Sequence, residues 1–275
     1  MLVSINDDFD LNKIAESGQC FRTKIFKDNV FRFISASNIL YIKHIYSTEY
    51  EVSCTKAEWN TIWESYFDLR RCYSQIRRQI SSSDMFLSKA ANEAHGIRIL
   101  RQDPFEMLVS FIISQRKSIP AIKKSIECIA EQFGTKVQTP YEKVFLFPSY
   151  VQMAQAKPEQ LAKCKLGYRL PYILDAINCI KQGKINLEVL DGLPSREICE
   201  SIMQIYGVGP KIANCVALFA YGKMDVFPID TWIKQIIANE YAGLNPFNTY
   251  PDTAGIMQQY MFYYAIHHKR EVRYE

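Results

Sequence analysis

The spacing of apolar positions changes once along the chain, near residue 55. Before this point, short runs of β-branched and aromatic residues are separated by turn-forming residues: Val30–Ile34, Ile39–His44 and Glu49–Ser53. From Lys56 onward apolar residues recur at helical spacing, beginning with the segment between Trp59 and Tyr66. The pattern predicts an α+β protein, in which a small antiparallel β domain precedes a mostly helical region.

Serine-rich and proline-containing segments divide the helical region. Ser81-Ser82-Ser83-Asp84 is the best candidate linker, so we expect a β-rich domain with a following helix over 1–81 and a helical region over 82–275. Asp103-Pro104 is typical of a helix start, with Asp as N-cap and Pro in the first turn. Further helices are expected at about Ser118–Phe133, Arg196–Ile205 and Asp252–His267, with Pro210 and Asp230 at the starts of two others.

Composition sets the broad class of protein. The chain has 275 residues, 48% of them apolar and 23% charged, which is typical of a globular protein with a proper core. The net charge of +4 permits a phosphate-rich partner without requiring one. Eight cysteines form no CxxC pair, and neither a signal peptide nor an 18-residue apolar run is present. We therefore expect a reduced, cytoplasmic protein, with no membrane partner.

A glycine-rich segment, Ile205-Tyr206-Gly207-Val208-Gly209-Pro210-Lys211, lies between two predicted helices. Glycines on both sides of one apolar residue allow a very tight turn. The backbone N–H groups of Gly207, Val208 and Gly209, with the following helix N-terminus, suit an anionic oxygen such as a DNA phosphate. A plain turn between two helices is the alternative, and the glycines by themselves do not exclude it.

Lys211 falls on the first turn of the helix that follows. Positive charge is disfavoured at a helix N-terminus, which favours the uncharged amine that acts as a nucleophile. A solvated or phosphate-binding lysine is the alternative. Asp230, nineteen residues later, is expected to cap another helix, and near Lys211 its carboxylate would stabilise positive charge developing on a sugar.

Several motifs together resemble the 8-oxoguanine DNA glycosylases of the helix-hairpin-helix (HhH-GPD) superfamily. The resemblance spans Gly18 to Phe262 and is carried by these segments: Ser17-Gly18-Gln19-Cys20-Phe21-Arg22, Gln102-Asp103-Pro104-Phe105-Glu106, Ser110-Phe111-Ile112, Leu166-Gly167-Tyr168-Arg169, Gly207–Cys215 and Pro228-Ile229-Asp230. It implies a TBP-like β domain before a helical catalytic region of two subdomains, with the active site in the cleft between them. It also implies base excision repair, in which a damaged base is flipped out of duplex DNA.

The family's catalytic and base-binding roles transfer onto six positions. Lys211 would attack the sugar C1′ and form a Schiff base, followed by β-elimination at the abasic site, with Asp230 supporting the charge. The Gly18 carbonyl would accept from N7–H, a donor that 8-oxoguanine has and guanine lacks. Gln258 would bond the Watson–Crick edge, while Phe262 and Cys215 would flank the two ring faces.

The opposite strand is where the sequence departs from the family. Tyr168 resembles the family's wedge and Arg169 one of two arginines that read the widowed cytosine. The second arginine aligns with Ala121, and a phosphate-binding histidine aligns with Trp232. Arg116 aligns with the family's gap-filling Asn, and Gln115 is the alternative. With Arg169 nearly alone, we expect a weaker cytosine preference than the family norm, since one bidentate contact discriminates by ~1–3 kcal/mol.

The same resemblance sets the expected partners, cofactors and rival functions. The substrate would be double-stranded DNA containing oxidised guanine, bound by a monomeric prokaryotic enzyme. No metal or organic cofactor is needed, and a monovalent or divalent cation at the hairpin is left open. No cysteine follows Cys215, which argues against an iron–sulfur cluster. Two alternatives stay open: an alkylated-base glycosylase of the same superfamily, and a non-catalytic helix-hairpin-helix DNA-binding module.

Overall fold

The computed structural model describes residues 1–268 and forms two compact units. The first comprises Met1–Phe33, Leu40–Arg101 and the segment from Gly222 onward, and the second comprises Ile34–Ile39 and Gln102–Tyr221. The candidate linker at 81–84 lies inside the first unit. There the Ser81 N–H donates to the Tyr250 hydroxyl at 3.2 Å, and the Tyr241 hydroxyl donates to the Asp84 carboxylate at 2.7 Å. Tertiary hydrogen bonds therefore hold the serine-rich segment in place, and the domain boundary at 81/82 stays a prediction.

Five strands form an antiparallel sheet in the order β1-β5-β4-β3-β2. The strands are β1 Leu2–Ser4, β2 Lys24–Ile25, β3 Val30–Ser35, β4 Asn38–Tyr46 and β5 Glu49–Val52, and a separate hairpin pairs β6 Lys136–Gln138 with β7 Lys143–Phe145. Strands β3, β4 and β5 confirm the three runs expected from the sequence. Strands β1 and β2 were not predicted from the sequence, because two or three residues are too few to show an alternation of apolar and polar positions.

Helices account for most of the remaining chain. Their bounds are α1 Leu11–Glu16, α2 Lys56–Glu58, α3 Glu64–Tyr66, α4 Tyr73–Arg78, α5 Met85–Glu93, α6 Pro104–Ser114, α7 Ile119–Phe133, α8 Tyr150–Met153, α9 Pro158–Ala162, α10 Leu170–Lys181, α11 Leu187–Leu190, α12 Ser195–Ile202, α13 Pro210–Tyr221, α14 Thr231–Glu240 and α15 Ala254–His267. A π-helical turn, Trp59–Trp63, joins α2 to α3. Shorter 3₁₀ turns lie at Lys27–Asn29, Gly167–Arg169 and Pro246–Thr249.

Aromatic side chains dominate the core of the first unit. Trp63, Tyr66, Phe67 and Phe33 are each at most 1% exposed, and their rings meet edge to face or tilted at centroid distances of 5.0 to 6.3 Å. Such pairs add about 0.5–1.5 kcal/mol each beyond the area they bury. Helix α15 packs against α5 in the same unit, which fixes the helix that carries Gln258 and Phe262.

The second unit is organised around α6 and α13, which pack against each other. Asp103 caps α6 as the sequence predicts, its carboxylate accepting the Glu106 N–H at 2.8 Å. Phe111 of α6 stacks on Phe219 of α13 with the centroids 5.5 Å apart. Pro210 begins α13, so Lys211 occupies its first turn as expected. Within residues 1–268, no helix is both long and apolar enough to cross a membrane.

Candidate active site

The hairpin before α13 is a tight turn shaped by one glycine in particular. Gly207 has φ +79°, in the left-handed region that favours glycine, and a Cβ added there would lie 2.4 Å from the Tyr172 ring. The Tyr206 N–H donates to the Asp175 carboxylate at 2.8 Å, which anchors the turn to α10. Val208 is 8% exposed, so its side chain belongs to the core. A ligand at the hairpin could therefore contact only the backbone of Val208.

Lys211 projects from the first turn of α13 toward α6. Its ammonium donates to the Ser114 hydroxyl at 3.5 Å, and that hydroxyl in turn donates to the Phe111 carbonyl at 2.7 Å. The Lys211 Nζ also lies 5.4 Å from the centroid of the Phe111 ring. Cys215, one turn further along α13, is 2% exposed. The predicted nucleophile is therefore half-buried beside an aromatic ring and a hydroxyl.

Gln115 lies at the centre of the predicted opposite-strand group. Its side-chain Nε2 donates to the Gly207 carbonyl of the hairpin at 3.3 Å. Its carbonyl accepts from the Tyr168 hydroxyl at 3.1 Å and from the Arg169 Nε at 2.8 Å, and Arg169 Nη2 donates to it as well. The structure thus brings Gln115, Tyr168, Arg169 and the hairpin together within the second unit.

Arg169 and Arg116 differ sharply in environment. Arg169 is 7% exposed, and its third guanidinium nitrogen, Nη1, donates to the Leu166 carbonyl at 3.3 Å. Arg116 is exposed and has φ +48°, a backbone conformation that L residues rarely adopt. In the part of the chain that the structure describes, the Arg116 side chain makes no hydrogen bond or ion pair.

In the first unit, the turn that contains Gly18 lies against α15. The Gln259 side chain donates to the Ser17 carbonyl at 2.6 Å, and Gly18 follows with φ +77°. Gln258, the neighbour of Gln259, is 3% exposed, and its Oε1 has no hydrogen-bond partner among residues 1–268. Phe262 lies one turn later on α15 and is half-buried. The three residues predicted to bind the base from this unit therefore share one region.

Asp230 is the N-cap of α14. Its carboxylate accepts the Ile233 N–H at 2.9 Å, as the sequence predicts for an Asp at a helix start. The cap fixes the side chain against the helix N-terminus, where a carboxylate is electrostatically favoured.

Sequence reasoning missed the residues that hold these groups in place. Gln19 is fully buried and bonds the Ser17 hydroxyl, the Arg98 carbonyl and the Leu100 N–H, all between 2.7 and 2.9 Å. Lys117 donates to the Ser125 hydroxyl at 2.6 Å and to the Lys165 carbonyl at 2.8 Å. The signal for Gln19 was its place in the Ser17–Arg22 motif, directly after Gly18, whereas nothing local distinguishes Lys117 from a solvated lysine.

Burial and neighbouring cations lower the pKa of the Lys117 ammonium below its ordinary value. Burial lowers its pKa first, and the positive charges of Arg169 and Lys165 lower it further. Among residues 1–268, no group of three or more His, Cys, Asp or Glu side chains is arranged to hold a metal ion.

Comparison with known proteins fits both architectural parts of the chain. Residues 1–108 match the family model for the N-terminal domain of 8-oxoguanine DNA glycosylase, and residues 109–260 match that for HhH-GPD superfamily base excision DNA repair proteins. The chain belongs to the HhH-GPD superfamily of base excision DNA repair proteins. This membership confirms the family resemblance and the α+β fold inferred from the sequence.

Relatives of this superfamily member share nearly its whole length. A probable N-glycosylase/DNA lyase of Methanothermobacter thermautotrophicus is 26% identical over 94% of each chain. The solved structure of MBOgg1 with a low-affinity DNA ligand is 36% identical, with a TM-score of 0.91 over 97% of this chain and 95% of that one. The Clostridium acetobutylicum 8-oxoguanine glycosylase/lyase, in complex with double-stranded DNA containing cytosine opposite 8-oxoG, is 32% identical, with a TM-score of 0.90 over 98% of both chains.

Proposed function

We propose that this base excision repair glycosylase/lyase removes 8-oxoguanine from duplex DNA and then nicks the abasic site, with Lys211 as nucleophile. The observation that carries the proposal is the position of Lys211. Its amine sits on the first turn of α13, directly after the glycine hairpin, half-buried against Phe111 and 3.5 Å from Ser114 Oγ. If the hairpin N–H groups hold a DNA phosphate, this position would put the amine beside the DNA backbone, with the neutral Ser114 hydroxyl as its hydrogen-bond acceptor.

The reaction follows from an amine placed beside a sugar. Lys211 Nζ would form a bond to C1′ as the bond from C1′ to the base nitrogen breaks, and the base would leave with the electron pair. Opening of the sugar ring then gives an imine between Nζ and C1′. Loss of a C2′ proton expels the 3′ phosphate and cuts the strand. Asp230 would stabilise the positive charge that develops on the sugar before the amine bonds fully.

We propose that Gly18, Gln258, Phe262 and Cys215 recognise the flipped base. The buried Gln258 Oε1 has no partner among the described residues, and an unpaired buried acceptor costs about 1–3 kcal/mol. The N–H donors on the Watson–Crick edge of a purine would satisfy it. The Gly18 carbonyl would accept N7–H of the oxidised base, and Phe262 and Cys215 would flank its ring.

Double-stranded DNA containing oxidised guanine is the proposed partner, and one copy of the chain suffices for one lesion. The hairpin backbone at Gly207, Val208 and Gly209 would hold a phosphate through its N–H groups, with or without a bound cation. Lysine chemistry of this kind needs no organic cofactor. We propose a prokaryotic cytoplasmic enzyme that acts at the nucleoid, where its DNA substrate lies.

Borohydride trapping on a duplex with 8-oxoguanine opposite cytosine tests the proposal. Wild-type protein should release 8-oxoguanine, nick the strand and give a covalent adduct after reduction. Lys211→Gln should lose all three, while Lys234→Gln, which removes an exposed lysine of α14, should keep them. Release without trapping, surviving in Lys211→Gln, would favour water attack as in an alkylated-base glycosylase. Binding with no release of any base would leave only a non-catalytic DNA-binding module.

A further inference from the structure

A cavity of about 570 Å³ opens at the N-terminal end of α6, within the second unit. We infer that this cavity, here called the α6 cavity, binds a small organic amine, with carboxylates holding the ammonium group and aromatic rings holding the apolar body. Pro104 lines the cavity, whereas Ser114, the partner of Lys211, lies at the other end of the helix, about 15 Å away at about 1.5 Å per residue.

Segments that are distant in the chain form the walls of the α6 cavity. They include the turn between β3 and β4, the start of α6, the segment from Leu146 into α8, the end of α10 and the start of α11. The cavity volume is within the range of about 300–1,000 Å³ that is usual for small-molecule sites. The tertiary structure therefore assembles a space that can hold a ligand of this size.

Every charged side chain that lines the α6 cavity is acidic. Glu106 is buried, Asp103 is half-buried and Glu188 is exposed at the rim. No Lys, Arg or His of residues 1–268 lines the cavity, although the chain as a whole carries a net charge of +4. The lining therefore has the sign of charge that attracts a cation and repels the phosphates of DNA.

Asp103 has hydrogen bonds but no cationic partner among residues 1–268. Its carboxylate caps α6 by accepting the Glu106 N–H at 2.8 Å. Burial raises the pKa of this carboxyl above its ordinary value, although hydrogen bonds from the Glu106 and Phe105 N–H groups lower it. An ammonium group in the cavity would offset the cost of burying this charge, because it would pair with the ionised carboxylate.

Three aromatic rings line the α6 cavity beside these carboxylates. The Phe105 ring centroid lies 6.2 Å from that of Phe147 and 6.3 Å from that of Tyr150. Ring faces attract an ammonium group, and their apolar surface suits a hydrocarbon body. A metal ion would instead need several oxygen ligands that converge on one point, and no group of three or more His, Cys, Asp or Glu side chains among residues 1–268 is arranged in that way. The lining therefore fits an organic cation.

Titration with three probes that share one hydrocarbon body tests the inference: phenylbutylamine, neutral phenylbutanol and anionic phenylbutyrate. Ligand-observed NMR at pH 7 gives the dissociation constant of each probe. We expect the amine to bind about fivefold more tightly than the alcohol, near the upper end for a partly exposed ion pair, and the carboxylate to bind most weakly. Asp103→Asn keeps the helix cap, since Asn caps a helix as well as Asp does. The double variant Asp103→Asn with Glu188→Gln should bind the amine about fivefold more weakly than wild type.

Glu131→Gln, which removes an exposed carboxylate of α7 outside the cavity lining, is the control and should bind the amine as wild type does. Equal affinity for the three probes, no binding of the amine, or unchanged amine affinity in the double variant would each overturn the inference. The three-probe comparison uses wild-type protein, so it decides the question even if the double variant unfolds early. These titrations involve neither DNA nor base release. Their failure would leave the proposed function intact, and a protein that releases no 8-oxoguanine can still bind the amine.

Discussion

Replacing Gly207 with alanine should destabilise the second unit and weaken DNA binding together. The added Cβ would meet three atoms of the Tyr172 ring at 2.4 to 2.5 Å, far inside normal contact. The ring has little room to retreat, because it packs edge to face against Tyr168 at 6.0 Å and Tyr206 at 5.0 Å. Left-handed strain costs about 1–2 kcal/mol and overpacking about 1–3 kcal/mol, so we expect the free energy of unfolding to fall by about 2–5 kcal/mol.

Gly209→Ala is the matched control, two residues away in the same hairpin. No atom lies within 4 Å of its added Cβ, and its φ is not in the left-handed region. Gly209→Ala should therefore unfold close to the wild-type temperature. An alanine at the helix start should lower the free energy of unfolding by no more than about 1 kcal/mol. It should still bind abasic duplex more weakly, because the methyl group stands where the backbone approaches a phosphate.

Thermal unfolding followed by circular dichroism, with anisotropy binding to an abasic duplex, measures both effects. A loss of 2–5 kcal/mol corresponds to a decrease in Tm of about 5 °C or more for a chain of this size. If Gly207→Ala melted at the same temperature as Gly209→Ala, the packing argument at Tyr172 would be wrong. If Gly209→Ala bound DNA as well as wild type, the hairpin would not approach the backbone closely.

Three further predictions concern the pocket, the opposite strand and the thiols. Gln258→Met should keep or raise Tm, since it removes a buried acceptor without a partner, while the single-turnover rate of 8-oxoguanine release falls; a clear loss of Tm would show a structural role instead. Excision rates opposite C, A, G and T should show a weaker cytosine preference than the family norm, and a very strong preference would contradict this. Burial, with Cys128 alongside, raises the pKa of Cys164 to about 12, so its thiol stays protonated at pH 8. Mass spectrometry should find Cys164 unmodified by iodoacetamide in the folded protein and modified after denaturation.

Local signals were strong enough to predict the element types and the positions of the candidate residues. Asp103 and Asp230 are helix caps because a short carboxylate before a helix satisfies the first free N–H groups, and this depends on neighbours in sequence alone. The same holds for Lys211 on the first turn of α13, since Pro210 fixes where that helix starts. The family resemblance added roles to these positions that spacing by itself leaves open.

Contacts between segments distant in the chain could not be predicted from the sequence, and these contacts position the candidate site residues. The serine-rich segment at 81–84 has the composition of a linker, yet hydrogen bonds from Tyr241 and Tyr250 fasten it inside one unit. Arg169 has the sequence position of a base reader, and only the structure shows that its Nε donates to the Gln115 carbonyl, 54 residues away.

By itself, then, the sequence determined the main helices, three of the strands, the glycine hairpin and the candidate nucleophile, because these follow from periodicity, capping and a recognisable set of motifs. Only the tertiary structure decided which arginine is buried and which is exposed, because burial depends on the turn at 114–117 meeting the loop at 165–169. Two arginines of identical chemistry therefore have different surroundings, according to the carbonyl groups that the fold brings within reach.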